Sequence, residues 1–271
     1  MTSVDFYAAM LPRIVTPQSH HSLELRNRRS LELKMAIVFV PGFMLDSEMW
    51  SELEPELAAY GPAHHVDLRR GTSLEDMADL ALEQLPDRFI LVGFSLGGYV
   101  ARQIARRVPD KLSALILIAT SARADTPEQI QRKQFALQLH DSAFKGLSPT
   151  AIAPSLHPKR RLDNALIDRI RQMGIRLGAD TFRRQSALAR TGDLDQLAAV
   201  RCPTLVVAAR NDDLRSEVEA SELAHGIHDA TLMVIENSGH MIPLEQPALL
   251  AKTITNWLRH RGIDLPSSKI D

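Results

Sequence analysis

Along most of the chain, short unbroken apolar runs rich in Ile, Val and Leu alternate with longer stretches whose apolar residues recur every three to four positions. Runs of the first kind, Ala36 to Val40, His64 to Asp67, Phe89 to Val92, Leu112 to Ala119, Thr204 to Ala209 and Thr231 to Ile235, read as strands buried on both faces. Helical spacing fills the gaps between them, over Ser47 to Tyr60, Ser73 to Leu85, Leu96 to Val108, Ser216 to Ala224 and Gln246 to Arg261. The alternation predicts an α/β fold, a doubly wound and mostly parallel sheet with helices on both faces.

Two regions depart from that rhythm. From Arg123 to Asp193 there is no strand pattern, only helical patches at Pro127 to Phe144, Asp163 to Leu177 and Ala179 to Arg190. A connection this long is uncommon between neighbouring strands, where about 2–6 residues suffice, so an inserted helical cap is expected over residues 123–193. Extra packing helices are the alternative. The core is then residues 35–122 and 194–271. Residues 1–34 form an N-terminal extension in which Ser22 to Leu25 and Ser30 to Leu33 alternate around a basic link, as in an edge hairpin; a poorly ordered leader is the other reading.

Composition narrows the classes. The 271 residues are 45% hydrophobic and 24% charged, with 32 basic against 33 acidic side chains, so bulk electrostatics point to neither a nucleic-acid nor a membrane partner. A small-molecule substrate fits better, with the protein a monomer or homodimer. A single cysteine, Cys202, precludes an intrachain disulfide and suggests a reducing, cytoplasmic setting. No signal peptide is expected, because the first apolar residues lack a basic flank and are interrupted by Asp5 and Pro12.

The most informative stretch is Phe89-Ile90-Leu91-Val92-Gly93-Phe94-Ser95-Leu96-Gly97-Gly98, a buried strand running through G-x-S-x-G into a helix. So sharp a turn needs small flanking residues, and it lifts the Ser95 hydroxyl clear of the sheet at a helix N-terminus. A serine hydroxyl needs a base, and the base needs an acid to orient it. His240 lies beyond the last strand, in Ser238-Gly239-His240-Met241. Asp212 follows the strand Thr204 to Ala209, and Asp213 beside it is the second candidate. Carboxyl ends of parallel strands are where such groups meet. A second oxyanion donor besides the Leu96 amide would come from Pro41-Gly42-Phe43-Met44, through the Phe43 amide.

These motifs resemble those of the α/β-hydrolase fold family over Ala36 to Arg261, in the elbow, the Pro-Gly-Phe loop, Arg201-Cys202-Pro203-Thr204-Leu205, and Ser-Gly-His followed by Pro243, Glu245 and Pro247. The resemblance is to capped bacterial esterases, enol-lactonases, carbon–carbon bond hydrolases and the lyase of menaquinone synthesis. It implies Ser95, His240 and Asp212 as a catalytic triad and hydrolysis of a small carboxylic ester or lactone through an acyl-enzyme. A lyase or carbon–carbon hydrolase using the same groups, and a slow-turnover small-ligand receptor, are the rival functions. Pro41 stands where the family usually has histidine, which changes the bonding behind the oxyanion loop. No cofactor and no metal are called for: His20-His21 and His64-His65 are adjacent pairs without ligand spacing. In the insertion, Phe135, Leu139, Phe144, Met173 and Phe182 are candidates to wall an apolar pocket, and Arg183 and Arg184 to meet a carboxylate.

Overall fold

A computed structural model of the chain describes residues 35–139 and 144–263. The expected edge hairpin lies outside them. Six strands, β1 (Ala36–Val40), β2 (Ala63–His65), β3 (Phe89–Phe94), β4 (Leu112–Ile118), β5 (Thr204–Ala209) and β6 (Ala230–Ile235), form one sheet in the order β2-β1-β3-β4-β5-β6. Every pairing is parallel. Around it lie α1 (Leu74–Leu82), α2 (Leu96–Arg107), α3 (Pro127–Leu139), α4 (Asn164–Ala187), α5 (Glu217–Gly226) and α6 (Pro247–His260).

The twofold period of a strand divides the core into two layers. Ile37 and Phe39 of β1 face one side, with Trp50, Leu53, Ile254 and Trp257. Ala36, Val38 and Val40 face the other, with Met77 of α1, Val100 and Ile104 of α2, and Leu223 of α5. Each Val, Leu, Ile, Phe or Met side chain so taken from water contributes about 1.5–3 kcal/mol. Because the strand order reverses about β1, the loops leaving β1 and β3 diverge at a crevice, and these carry Phe43 and Ser95.

One expected helix is not continuous. Ser47 to Tyr60 is a 3-10 turn (Ser47–Trp50), one α-turn (Glu54–Leu57) and a second 3-10 turn (Ala58–Tyr60). Pro55 sits in the first turn of the middle piece, the place where its missing amide does least harm, so the helix restarts there.

Between β4 and β5 the described residues contain no strand. The excursion leaves and returns through adjoining stems, with Asp193 N–H donating to the Ala122 carbonyl and Asp125 N–H to that of Arg190, both at 2.9 Å. Beside the return stem, Asp193 receives Arg102 Nη2 on Oδ1 at 2.7 Å and Arg102 Nε and Arg106 Nη1 on Oδ2 at 3.0 and 2.7 Å. Arg102 is wholly buried and also donates to the carbonyls of Gly98 and Ser121. Burial alone would raise the Asp193 carboxyl; the two guanidinium groups outweigh it and hold it below its ordinary value. The stretch read as two helices, Asp163 to Leu177 and Ala179 to Arg190, is α4 with a break at Gly178, where φ is 80°. Glycine takes that conformation at little cost.

Candidate active site

Ser95 occupies the first position outside α2 with φ 50° and ψ −111°, a strained conformation for a residue with a side chain. Three hydrogen bonds hold it. Its N–H donates to the Ile118 carbonyl at 2.9 Å, while its own carbonyl accepts from Thr120 Oγ1 at 2.8 Å and from the Gly98 amide at 3.0 Å. Room for the turn comes from the glycines. A β-carbon at Gly93 would lie 2.7 Å from the Gly97 carbonyl oxygen, and one at Gly97 only 2.2 Å from that of Val40. A serine in this position ordinarily bonds back to the helix amides. Here the hydroxyl makes no such cap and is left for another partner.

That partner is His240. Ser95 Oγ lies 2.9 Å from His240 Nε2, and His240 Nδ1 lies 2.7 Å from Asp212 Oδ2. An ionised carboxylate only accepts, so the ring proton resides on Nδ1 and Nε2 is free to accept from the hydroxyl. Asp212 is fixed in turn, its other oxygen accepting the amides of Leu214 at 2.8 Å and Arg215 at 2.9 Å. Its side chain is 1% exposed and that of His240 6%, whereas Ser95 itself is half-buried and remains accessible. The structure therefore brings together three groups separated by up to 145 positions in the chain.

The loop that bears His240 is braced from two directions. Glu245 accepts the Gly239 amide on one carboxylate oxygen and the His157 amide, from the insertion, on the other, each at 2.7 Å. The Met241 amide donates to the Ser155 carbonyl. Below, the Phe94 ring lies 5.0 Å from that of His240 and directly under Gly42, where a β-carbon would come within 2.7 Å of it.

On the opposite side of Ser95, the Val40 and Pro41 carbonyls pack on Gly97, bringing the Phe43 loop against the start of α2. The Leu96 amide heads α2 and has no carbonyl a turn behind it. Among the described residues the Phe43 amide has no acceptor within the protein. Gln185 of α4, 3% exposed, reaches this loop: its Oε1 accepts the Met44 amide at 2.8 Å and its Nε2 donates to the Leu68 carbonyl at 3.1 Å. Behind the loop is a cavity of about 240 Å³ lined by Pro41, Leu45, Asp67, Leu68, Arg176 and Gln185 among others.

The pocket candidates divide. Phe144 stacks on Phe182 with centroids 4.9 Å apart, and Phe182 meets Phe43 edge-on at 6.0 Å, so two of them form an aromatic row ending at the Phe43 loop. Phe135, by contrast, is 61% exposed on the outer side of α3, and Met173 is fully buried in the core. The Leu139 side chain lies outside what is described. Arg183 pairs with Asp180 on the same helix turn and Arg184 donates to the Arg69 carbonyl, both exposed, as a solvated face requires. Asp213 pairs with Arg161 and not with His240. His65 pairs with Glu54 at 3.0 Å and stacks on Phe39. Among the described residues no cluster of His, Cys, Asp or Glu could hold a metal ion, and no helix is long and apolar enough to cross a membrane.

Glu245 and Gln185 were not singled out as site residues by reading the sequence. Glu245 stood only within the His240 motif. Gln185 left no periodic signal, because its buried neighbours on that face, Thr181, Phe182 and Ser186, are mostly polar themselves.

A family model described as the alpha/beta hydrolase family matches residues 37–253. The chain belongs to the alpha/beta hydrolase family. Solved structures of similar shape include a thermophilic esterase from Thermogutta terrifontis, 29% identical over 83% of this chain and 90% of that one, with a TM-score of 0.70. An enol-lactonase from Burkholderia xenovorans is 18% identical over 83% of this chain and 91% of its own, with a TM-score of 0.71. MenH from S. aureus is 20% identical over 86% and 96% respectively, with a TM-score of 0.73. The last two likenesses speak for the alpha/beta hydrolase fold alone.

Proposed function

We propose that this alpha/beta hydrolase is a serine esterase, cleaving a small carboxylic ester or lactone through an acyl-enzyme. The observation that carries the reading is the unbroken series from Asp212 Oδ2 through His240 to Ser95 Oγ, with links of 2.7 and 2.9 Å. In the first half-reaction Ser95 Oγ attacks the carbonyl carbon while its proton passes to His240 Nε2, and Asp212 stabilises the imidazolium that forms. The amides of Phe43 and Leu96 donate to the oxygen as it becomes negative. His240 then protonates the departing alkoxide. Water, deprotonated by the same ring, releases the acid in the second half-reaction. No step calls on a cofactor.

The aromatic row Phe43–Phe182–Phe144 supports an apolar group beside the reacting carbonyl, and the segment between Arg123 and Asp193 acts as the cap that supplies it. The esterase from Thermogutta terrifontis, at 29% identity, favours ester chemistry in the same direction.

Hydrolysis of p-nitrophenyl esters of increasing chain length, paired with fluorophosphonate labelling of the intact protein, tests the reading. The native protein is expected to show turnover, a burst of p-nitrophenol and a covalent adduct, all lost in Ser95→Ala with the fold retained. A native protein that releases no p-nitrophenol from any of these esters would favour proton-abstraction chemistry, as in a lyase. Equal labelling of Ser95→Ala would overturn the assignment.

A further inference from the structure

The turn that carries Phe43 is held in an unfavourable form by a residue far away in the chain. Leu45 N–H donates to the Gly42 carbonyl at 3.3 Å, which makes Phe43 and Met44 the two central residues of a β-turn. Met44 has φ 54°, whereas Phe43 is not in the left-handed region. A positive φ at the second central residue alone is the type II form, in which glycine or asparagine is the usual occupant. With methionine there, the type I form is the relaxed alternative, and it is reached by rotating one peptide, that between Phe43 and Met44.

Gln185 opposes that rotation. Its Oε1 accepts the Met44 N–H at 2.8 Å; after a flip, the same oxygen would face the Phe43 carbonyl oxygen instead. Nor can the side-chain amide turn end for end, because its Nε2 donates to the Leu68 carbonyl at 3.1 Å and would then be replaced by a second acceptor. At 3% exposure, solvent cannot easily stand in for either partner. Within the loop itself, Pro41 and Gly42 have no side-chain donor or acceptor with which to do the same work.

We propose that Gln185 is a positioning residue for the oxyanion-binding amide of Phe43: it fixes the next peptide of the same turn, and so couples the insertion to catalysis. The inference rests on the serine-esterase reading above. Gln185 touches none of the reacting atoms. Its effect should appear where negative charge develops on the carbonyl oxygen and not where the ester is first bound.

The test compares the native protein with Gln185→Met, close in shape but without either hydrogen bond, and Gln185→Glu, using p-nitrophenyl acetate and a trifluoromethyl ketone that adds to serine as a tetrahedral oxyanion. For Gln185→Met, kcat should fall about tenfold or more with KM within about threefold, and ketone affinity should weaken by the same factor as kcat/KM. Gln185→Glu sets a carboxylate oxygen against the Leu68 carbonyl until a proton restores the donor. Its kcat/KM relative to native should therefore climb as pH falls from about 8 to about 5, and it carries the test should Gln185→Met not fold. Unchanged kcat in Gln185→Met, equal weakening of substrate and ketone, or a flat pH ratio for Gln185→Glu overturns the positioning role. A native protein that neither turns over esters nor reacts with fluorophosphonate overturns the esterase reading first, and this inference with it.

Discussion

Asp212 and Asp213 are consecutive residues whose carboxylates part company: one receives the imidazole of His240 and the other the guanidinium of Arg161. Two adjacent backbone amides grip Asp212 from behind, whereas the Asp213 side chain is about half exposed. The neighbours can thus be separated by experiment. Asp212→Asn, which keeps the shape but presents a donor to Nδ1 or leaves the ring in the wrong tautomer, should lower kcat by about 10³–10⁴. Asp213→Asn should change it by no more than about twofold, since an exposed pair contributes little. Steady-state rates of the two variants decide between them.

The buried carboxylate of Glu245 makes a separate prediction. Glu245→Gln presents an N–H to one of the two amides it now accepts, leaving either Gly239 or His157 without a partner. The expected cost is about 1–3 kcal/mol in urea unfolding, the range for an unpaired buried polar group. Because Gly239 precedes His240, kcat should fall as well, with KM less affected; loss of stability without loss of rate would confine Glu245 to a structural part.

Packing at the elbow can be probed at Gly97. A methyl group there would meet the Val40 and Pro41 carbonyl oxygens at 2.2 and 2.5 Å, and backbone atoms have no rotamer by which to withdraw. Gly97→Ala should push the Phe43 loop away from α2, lowering kcat by about tenfold or more, the scale of a disturbed oxyanion donor. Native-like activity in that variant would mean that the two segments part freely.

Acid should act on the stem of the insertion through Asp193. Its carboxyl is held below its ordinary value by Arg102 and Arg106, against the effect of burial, so the folded form binds a proton less readily than the unfolded one. The stability this gives is complete above the unfolded value, near pH 4, and is lost as pH falls through the lower folded value. Asp193→Asn, which strands the buried Arg102, should cost about 3 kcal/mol at pH 7. The difference from native should begin to shrink below about pH 4 and close only once the pH has fallen through the lower folded value, where both chains lack the charge. Urea midpoints at the two pH values provide the check.

Much of this was legible in the sequence because parallel strands covered on both faces leave continuous apolar runs, and two of the six, Ala36–Val40 and Thr204–Ala209, end where the pattern ends. Ser95 and His240 were legible for a different reason: the elbow and the post-strand loop are local devices with narrow steric requirements. Choosing between Asp212 and Asp213 was not possible from adjacency, since it depends on which way one turn faces. The segment around Pro55 read as a single helix because its apolar spacing suits a chain of short turns equally well. Contacts such as Met44 with Gln185 span 141 positions and leave no periodic trace.

The break at Gly178 makes two levers of what would otherwise be one rod of 24 residues. On its upstream arm, Arg169 and Arg176 hold Glu48, Glu52 and Asp46 at the water-facing rim. Its downstream arm sinks Phe182 and Gln185 beneath the surface. Dissolved electrolyte weakens grips of the first kind and scarcely touches the second. Brine should therefore loosen only that arginine rim, while the buried side of both arms, Ile170 and Met173 upstream as well as Phe182 and Gln185 downstream, stays moored, leaving the chemistry insulated from the ionic weather outside.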